Sequence, residues 1–104
     1  MPSVAAPAAD ATLFATAYFS VDARAEPGVM PRVLEQFEKR GLVPALWHST
    51  RTGADRARLT IDIAVAGLDC ELTRYIADCL RQIVHVETVL TTEGETAAAE
   101  RLSA

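Results

Sequence analysis

Hydrophobic and polar residues alternate along two segments of the chain, and this alternation is typical of half-buried β-strands. The clearer segment runs from Ala57 to Ala66, and its large aliphatic residues point to one side: Leu59, Ile61, Ile63 and Val65. The other runs from Thr12 to Val21 and is rich in aromatic and β-branched residues, which favour strands. Two weaker strands are predicted over Leu42–Thr50 and Val84–Thr91. Pro44 interrupts the first of these two, which indicates an edge strand or a bulge.

Two further segments space their hydrophobic residues as one face of an amphipathic helix does. The stripe of the first comprises Val29, Met30, Val33, Leu34 and Phe37. The stripe of the second comprises Leu68, Leu72, Tyr75, Ile76, Cys79, Leu80 and Ile83. Lys39 and Arg40 are expected in the last turn of the first helix, where cations suit the helix dipole, and Gly41 is expected to end it.

The predicted order is strand, helix, strand, strand, helix, strand. This order predicts an α+β domain of the ferredoxin-like βαββαβ type, with a four-stranded antiparallel sheet and both helices on one face. The domain is expected to span residues 12–91. Residues 1–11 and 92–104 lack a regular hydrophobic pattern and are predicted to be flexible tails.

Composition and charge narrow the class of function. Of 104 residues, 50% are hydrophobic and 23% are charged, as in folded globular domains. The formal net charge of −4 argues against nucleic acid and anionic membrane as partners, because both attract basic surfaces. No apolar run approaches the roughly 20 residues that a bilayer requires. The first residues carry no Lys or Arg, unlike a secretory signal, so we expect a cytoplasmic protein.

Cysteine spacing agrees with that location. Cys70 and Cys79 lie in one predicted helix, roughly 13 Å apart along its axis. This is too far for a disulfide between them. Reduced thiols in a reducing compartment are therefore expected.

The fold class hosts several functions, and each requires particular residues. An RNA-recognition domain needs aromatic side chains on the outer face of its third strand, but that face reads Arg58, Thr60, Asp62 and Ala64. A metal chaperone needs a Cys-x-x-Cys pair in the predicted first loop, Asp22–Gly28, which contains no cysteine. An acylphosphatase-like enzyme needs a glycine-rich phosphate cradle, and Arg24 with Gly28 alone does not form one. No catalytic residue, metal ligand or cofactor is predicted.

The most informative segment is the end of this loop, where Glu26-Pro27-Gly28 leads into the first helix. Proline stiffens such a turn and glycine lets another group approach the backbone. The free N–H groups of a helix start favour a carboxylate. An ordinary Pro-Gly turn explains the same residues equally well.

The segment Glu26–Leu34 resembles the helix entry of ACT domains, and Lys39–Leu42 resembles the family's turn into its second strand. The resemblance extends over about residues 12–91. It points in particular to the short single-domain regulatory subunit of acetolactate (acetohydroxyacid) synthase. Val84-His85-Val86 of this chain also resembles the terminal strand of that subunit. The family implies a non-catalytic regulatory domain that dimerises through its sheet edges and binds an amino acid at the first loop.

Carried over by position, the implied ligand-binding residues are Glu26, Pro27, Gly28, Val29 and Met30. Gly28 and its neighbours would offer backbone N–H groups to the ligand's carboxylate. Many amino-acid-binding members have Asp or Asn three residues before the glycine to accept the ammonium group, whereas this chain has Ala25 there and Glu26 beside it.

The resemblance also implies partners. These are a second copy of the chain, the large catalytic subunit of acetolactate synthase and a branched-chain amino acid. The thiamine diphosphate, flavin and metal of such a synthase belong to its catalytic chain. One alternative is a free-standing amino-acid-sensing dimer with an unrelated client enzyme. A small enzyme or carrier on the same fold is the other.

Overall fold

The computed structural model describes residues 16–93 of the chain. Its elements are β1 (Ala17–Arg24), α1 (Val29–Glu38), β2 (Leu46–Thr52), β3 (Arg58–Val65), α2 (Cys70–Arg81) and β4 (Val86–Glu93). The four strands form one antiparallel sheet in the order β2-β3-β1-β4. The predicted ferredoxin-like βαββαβ class is therefore confirmed. The predicted tail 1–11 and residues 94–104 of the predicted tail 92–104 lie outside the described part, so they stay predictions. Thr92 and Glu93 were predicted to belong to the second tail and instead lie in β4.

One face of the sheet packs against both helices and forms the core. The alternation predicted for β3 is confirmed, because Leu59, Ile61, Ile63 and Val65 are all buried. In β1 the buried residues on the same face are Ala17, Phe19, Val21 and Ala23. Phe19 meets Phe37 of α1 edge-to-face, with ring centroids 5.3 Å apart. Such aromatic pairs stabilise a core by about 0.5–1.5 kcal/mol beyond the burial of their area.

The buried stripe of α1 is narrower than the sequence predicted, and that of α2 includes Thr73 and Ala77, which were not predicted to be buried. In α1 only Val29, Val33 and Phe37 are buried, whereas Met30 and Leu34 are 39% and 43% exposed. The reason is that α1 contacts the sheet along a single line of residues spaced by four. Tyr75 of α2 was predicted to face the core and is instead exposed, with the Arg40 guanidinium 5.1 Å from its ring centroid.

The boundaries of several elements differ from the prediction. β1 continues to Arg24 and so takes in residues predicted as loop, and β4 runs from Val86 to Glu93 rather than from Val84 to Thr91. α1 ends at Glu38, so Lys39 and Arg40 lie just beyond it.

The start of β2 also differs from the prediction. β2 begins at Leu46 rather than Leu42, because the preceding residues end the helix instead of pairing. Gly41 has a φ of +73°, which turns the chain back, and Leu42 N–H donates to Phe37 O at 2.9 Å. The edge position predicted for this strand is confirmed.

The backbone hydrogen bonds of β1 show which groups the two edge strands present to a partner. Ala25 N–H donates to Ala57 O on the β3 side at 2.7 Å, and Arg24 N–H donates to His85 O on the β4 side at 3.0 Å. Successive residues of a strand point to alternate sides. With the observed register, the outward backbone groups belong to Trp47, Ser49 and Arg51 on β2 and to Val89 and Thr91 on β4.

The two edges differ in how they are covered. On β4, Arg81 Nη2 reaches from α2 to Val89 O at 2.7 Å, and Asp78 Oδ1 holds Arg81 Nη1 at 2.8 Å. The β1–β4 register also shifts between Asp22 and Ala23. Edge charges and bulges both discourage pairing with another strand. Within the described residues, no side chain binds the outward backbone groups of β2, so β2 is the edge that is open to pairing.

The helices also bear on membrane insertion and on the two cysteines. None of the helices in residues 16–93 is long and apolar enough to cross a membrane. Cys70 and Cys79 both lie in α2, as predicted, and no disulfide joins them.

We expect Val33→Asp to lower the free energy of unfolding by several kcal/mol. Val33 is 0% exposed at the centre of the α1 stripe, so the variant buries a carboxylate. Domains of this kind are stable by only about 5–15 kcal/mol in total. Leu34→Asp is the matched control, because Leu34 is partly exposed on the same helix and should tolerate the charge. Urea denaturation of the two variants makes the comparison, and equal stabilities would contradict the orientation of α1.

Candidate functional site

The loop between β1 and α1 is fixed by backbone hydrogen bonds. Ala25 N–H is held by Ala57 O, and Glu26 N–H donates to Arg24 O at 2.8 Å. Val29 N–H donates back to Glu26 O at 3.1 Å and closes the Pro27-Gly28 turn. A short rigid loop therefore places the start of α1 beside β3.

A cavity of about 380 Å³ lies between this loop, the start of α1 and β2. This volume is in the range of small-molecule sites, which run from about 300 to 1,000 Å³. Its lining residues are Ala25, Glu26, Pro27, Met30, Ser49, Thr50, Arg51 and Leu59. Buried Leu59 and the side chains of Ala25, Pro27 and Met30 give it apolar walls.

Of the five residues predicted to bind a ligand, three line the cavity and two do not. Glu26, Pro27 and Met30 line the cavity. Val29 is 1% exposed and belongs to the hydrophobic core, so its side chain cannot contact a ligand there. Gly28 does not line the cavity and is the N-cap of α1.

The need for glycine at position 28 comes from a neighbouring side chain rather than from the backbone conformation. Its φ of −80° is open to any residue. A Cβ at this position would clash with Nη1 of Arg32, which donates to Gly28 O at 3.2 Å. The absent side chain thus leaves room for the Arg32 guanidinium, which folds back over the helix start.

The helix start offers fewer free N–H groups than the sequence suggested. Val29 N–H is bonded to Glu26 O, and Arg32 N–H is bonded to Gly28 O at 3.4 Å. Pro31 has no N–H to offer. Gly28 and Met30 are the positions whose N–H groups have no backbone partner in residues 16–93. The attraction of this helix end for an anion is correspondingly limited.

Arg51 of β2 is a cavity residue that sequence reasoning did not identify. Its Nε and Nη2 both donate to Arg56 O, at 2.9 and 2.6 Å. Arg56 lies in the turn between β2 and β3 and has a left-handed φ of 60°. The one signal in the sequence was alternation along β2, and that signal was obscured because the strand was predicted four residues too early.

Comparison with known proteins identifies the fold. No model of a known protein family matches the sequence, and no curated protein matches it. Among solved structures, the ACT domain of GTP pyrophosphokinase from Chlorobium tepidum matches with a TM-score of 0.62 at 14% identity, covering 74% of this chain and 96% of that one. The chain has the ACT fold.

Two other solved structures share this ACT fold. The regulatory subunit of aspartate kinase from Thermus thermophilus matches with a TM-score of 0.59 at 12% identity, over 76% of this chain and 51% of that one. The C-terminal domain of the MgtC protein from Mycobacterium tuberculosis matches with a TM-score of 0.64 at 15% identity, over 82% and 93%. Function has to be argued from the site, because one fold serves many functions.

Other polar groups of this ACT fold lie outside the cavity. Arg58 bridges Asp22 and Glu87, at 2.5 and 2.6 Å, and so links β3 to β1 and β4. These hydrogen bonds, first to Glu87 and then to Asp22, raise the pKa of Arg58 above its ordinary value. His48 lies 3.5 Å from the Thr50 hydroxyl. Residues 16–93 contain no group of three His, Cys, Asp or Glu side chains able to hold a metal ion.

Proposed function

We propose that this chain is a regulatory ACT domain that binds a small amino acid in the cavity between the β1–α1 loop and β2. The observation that carries the proposal is the cavity itself, which opens at the loop that the sequence resemblance singles out. Three of the five residues implied by that resemblance, Glu26, Pro27 and Met30, line it. Glu26 forms no ion pair or side-chain hydrogen bond within the described residues, so its carboxylate is free to accept an ammonium group.

The ligand we propose is a branched-chain amino acid. The apolar lining of Leu59, Met30, Pro27 and Ala25 suits a side chain of three or four carbons. The ammonium group would face Glu26, which takes the place of the Asp or Asn that many family members have at the position of Ala25.

The client we propose is the catalytic large subunit of acetolactate synthase, which this chain would regulate without taking part in the reaction. Support comes from the resemblance of Arg32-Val33-Leu34, Arg40-Gly41 and Val84-His85-Val86 to segments of the short regulatory subunits of that enzyme. The structural neighbours include one regulatory subunit and one ACT domain of a larger enzyme, which agrees with a regulatory role. A cytoplasmic location suits this role and the absence of a disulfide between Cys70 and Cys79.

The assembly we propose is a dimer formed through β2. The outward N–H and C=O groups of Trp47, Ser49 and Arg51 have no capping side chain in the described residues, whereas Arg81 caps the β4 edge. Pairing of β2 with a second copy would extend the sheet across both chains. The same pairing would bring the partner close to the open side of each cavity, since Ser49 and Arg51 belong to both features.

L-Valine, L-leucine or L-isoleucine should raise the melting temperature. A ligand at a hundred times its Kd adds roughly 2.7 kcal/mol to the stability of the native state. In a domain of this size each kcal/mol corresponds to roughly 4–8 °C. Met30→Glu should abolish the rise by placing a charge in the cavity, whereas Leu34→Glu, on the same helix outside the cavity, should retain it. A melting point unmoved by any of the twenty amino acids at millimolar concentration would end the sensing proposal.

Affinity purification of the full chain from its native cell should recover the large subunit of acetolactate synthase. A chain bearing Val33→Asp, which is expected to unfold, serves as the control for non-specific capture. Recovery of a different metabolic enzyme, with no synthase, would replace this client by an unrelated one.

Sedimentation of the purified protein should show a dimer at micromolar concentration. Ser49→Pro should convert it to a monomer, because it removes an outward N–H of β2 while sparing the bonds to β3. Thr91→Pro is the matched control, since it removes an outward N–H from the opposite edge and should leave the dimer intact. A monomeric wild-type protein, or a dimer lost only in Thr91→Pro, would contradict assembly through β2.

A further inference from the structure

Among residues 16–93, Arg51 is the one cationic residue that lines the cavity. In the pairing of β2 with β3, Arg51 lies directly opposite Leu59, whose side chain is buried on the helix-covered face of the sheet. Residues opposite each other in an antiparallel pair share a face. The Arg51 side chain therefore lies on the same face of the sheet as α1. It lines the β2 side of the cavity, and the β1–α1 loop lines another side.

The Arg51 guanidinium is held in place by the chain itself. Two of its nitrogens, Nε and Nη2, donate to the single carbonyl of Arg56. This leaves Nη1 and the second hydrogen of Nη2 without a partner in residues 16–93, where no carboxylate pairs with Arg51. A fixed guanidinium loses little side-chain freedom on binding a carboxylate, and its planar donors match the two carboxylate oxygens.

The alternative partner for a carboxylate is the start of α1, and it is weaker. Two of its N–H groups are already bonded, Pro31 has none, and the guanidinium of Arg32 covers Gly28. The remaining N–H groups at Gly28 and Met30 are neutral donors. Hydrogen bonds from a charged donor are roughly twice as strong as those from a neutral one.

We propose that Arg51 binds the carboxylate of the ligand in this cavity. The inference rests on the proposed amino-acid-binding function. It places the group that binds the ligand's carboxylate on β2 rather than at the start of α1. Glu26 on the loop side then binds the ammonium group of the amino acid, and Arg51 on the β2 side binds its carboxylate. The apolar side chain of the ligand then lies against Leu59 and Met30.

The test measures binding of L-valine and of L-valinamide, which lacks the carboxylate, to the full chain by calorimetry. Arg51→Gln should raise the Kd for L-valine by about tenfold or more, the cost of losing a hydrogen-bonded ion pair. Arg51→Lys should give an intermediate Kd, because it keeps the charge and loses the planar donors. L-Valinamide should bind wild-type protein weakly and should bind Arg51→Gln equally well.

Arg56→Gln is the matched control. It removes the same charge from the turn that follows β2, but the Arg56 carbonyl that holds Arg51 is retained and the Arg56 side chain does not line the cavity. Its Kd for L-valine should stay within about twofold of the wild-type value, by the same reasoning on lost hydrogen bonds. Thermal melts of the ligand-free variants establish that each one is folded.

The outcomes separate this inference from the function on which it rests. L-Valine binding that is unchanged in Arg51→Gln, or weakened equally in Arg56→Gln, overturns the role of Arg51 and leaves the sensing function standing. The absence of binding by any of the twenty amino acids to wild-type protein overturns the function and the role of Arg51 together.

Discussion

The burial of one face of the sheet under two narrow helices is the constraint on which the rest of this structure depends. α1 contributes only Val29, Val33 and Phe37 to the core, so it covers β1 and β3 and leaves most of β2 uncovered. The short loop that joins β1 to α1 is tied to Ala57 by the Ala25 N–H. The space left between helix and edge strand is the cavity. Its apolar floor, Leu59, is the end of the same buried row that holds the domain together.

The same packing determines which edge of the sheet can pair with a second chain. A four-stranded sheet has two edges, and an unprotected edge invites pairing. Here Arg81 of α2 caps a backbone carbonyl of β4, whereas within residues 16–93 no side chain of α1 caps β2. One packing geometry thus protects one edge, exposes the other and places the cavity beside the exposed one. Ligand binding and dimer formation would therefore act on the same strand, which gives a physical route from a bound amino acid to a change in association.

The ACT fold alone does not settle the function, since structures at 12–15% identity share it with different roles. What distinguishes this chain is the charge arrangement of its cavity. Ala25 stands where many members have an ammonium acceptor, Glu26 is adjacent, and Arg51 supplies a cation from the opposite wall. The proposed site keeps the position that the resemblance implies and differs in the residues proposed to bind each end of an amino acid.

The sequence alone determined the order of elements, the fold class, the buried face of β3 and the loop beside which the cavity lies. These follow from local periodicity, which each segment carries without reference to the others. It misplaced the start of β2 because Leu42 bonds to Phe37 after a left-handed Gly41, a contact that ends a helix and resembles a strand in pattern. It did not show that Val29 is buried in the core or that Arg51 lines the cavity. Only the tertiary structure decides such cases, because the packing of α1 across the sheet buries Val29, and the register of β2 on β3 brings Arg51 to the cavity wall.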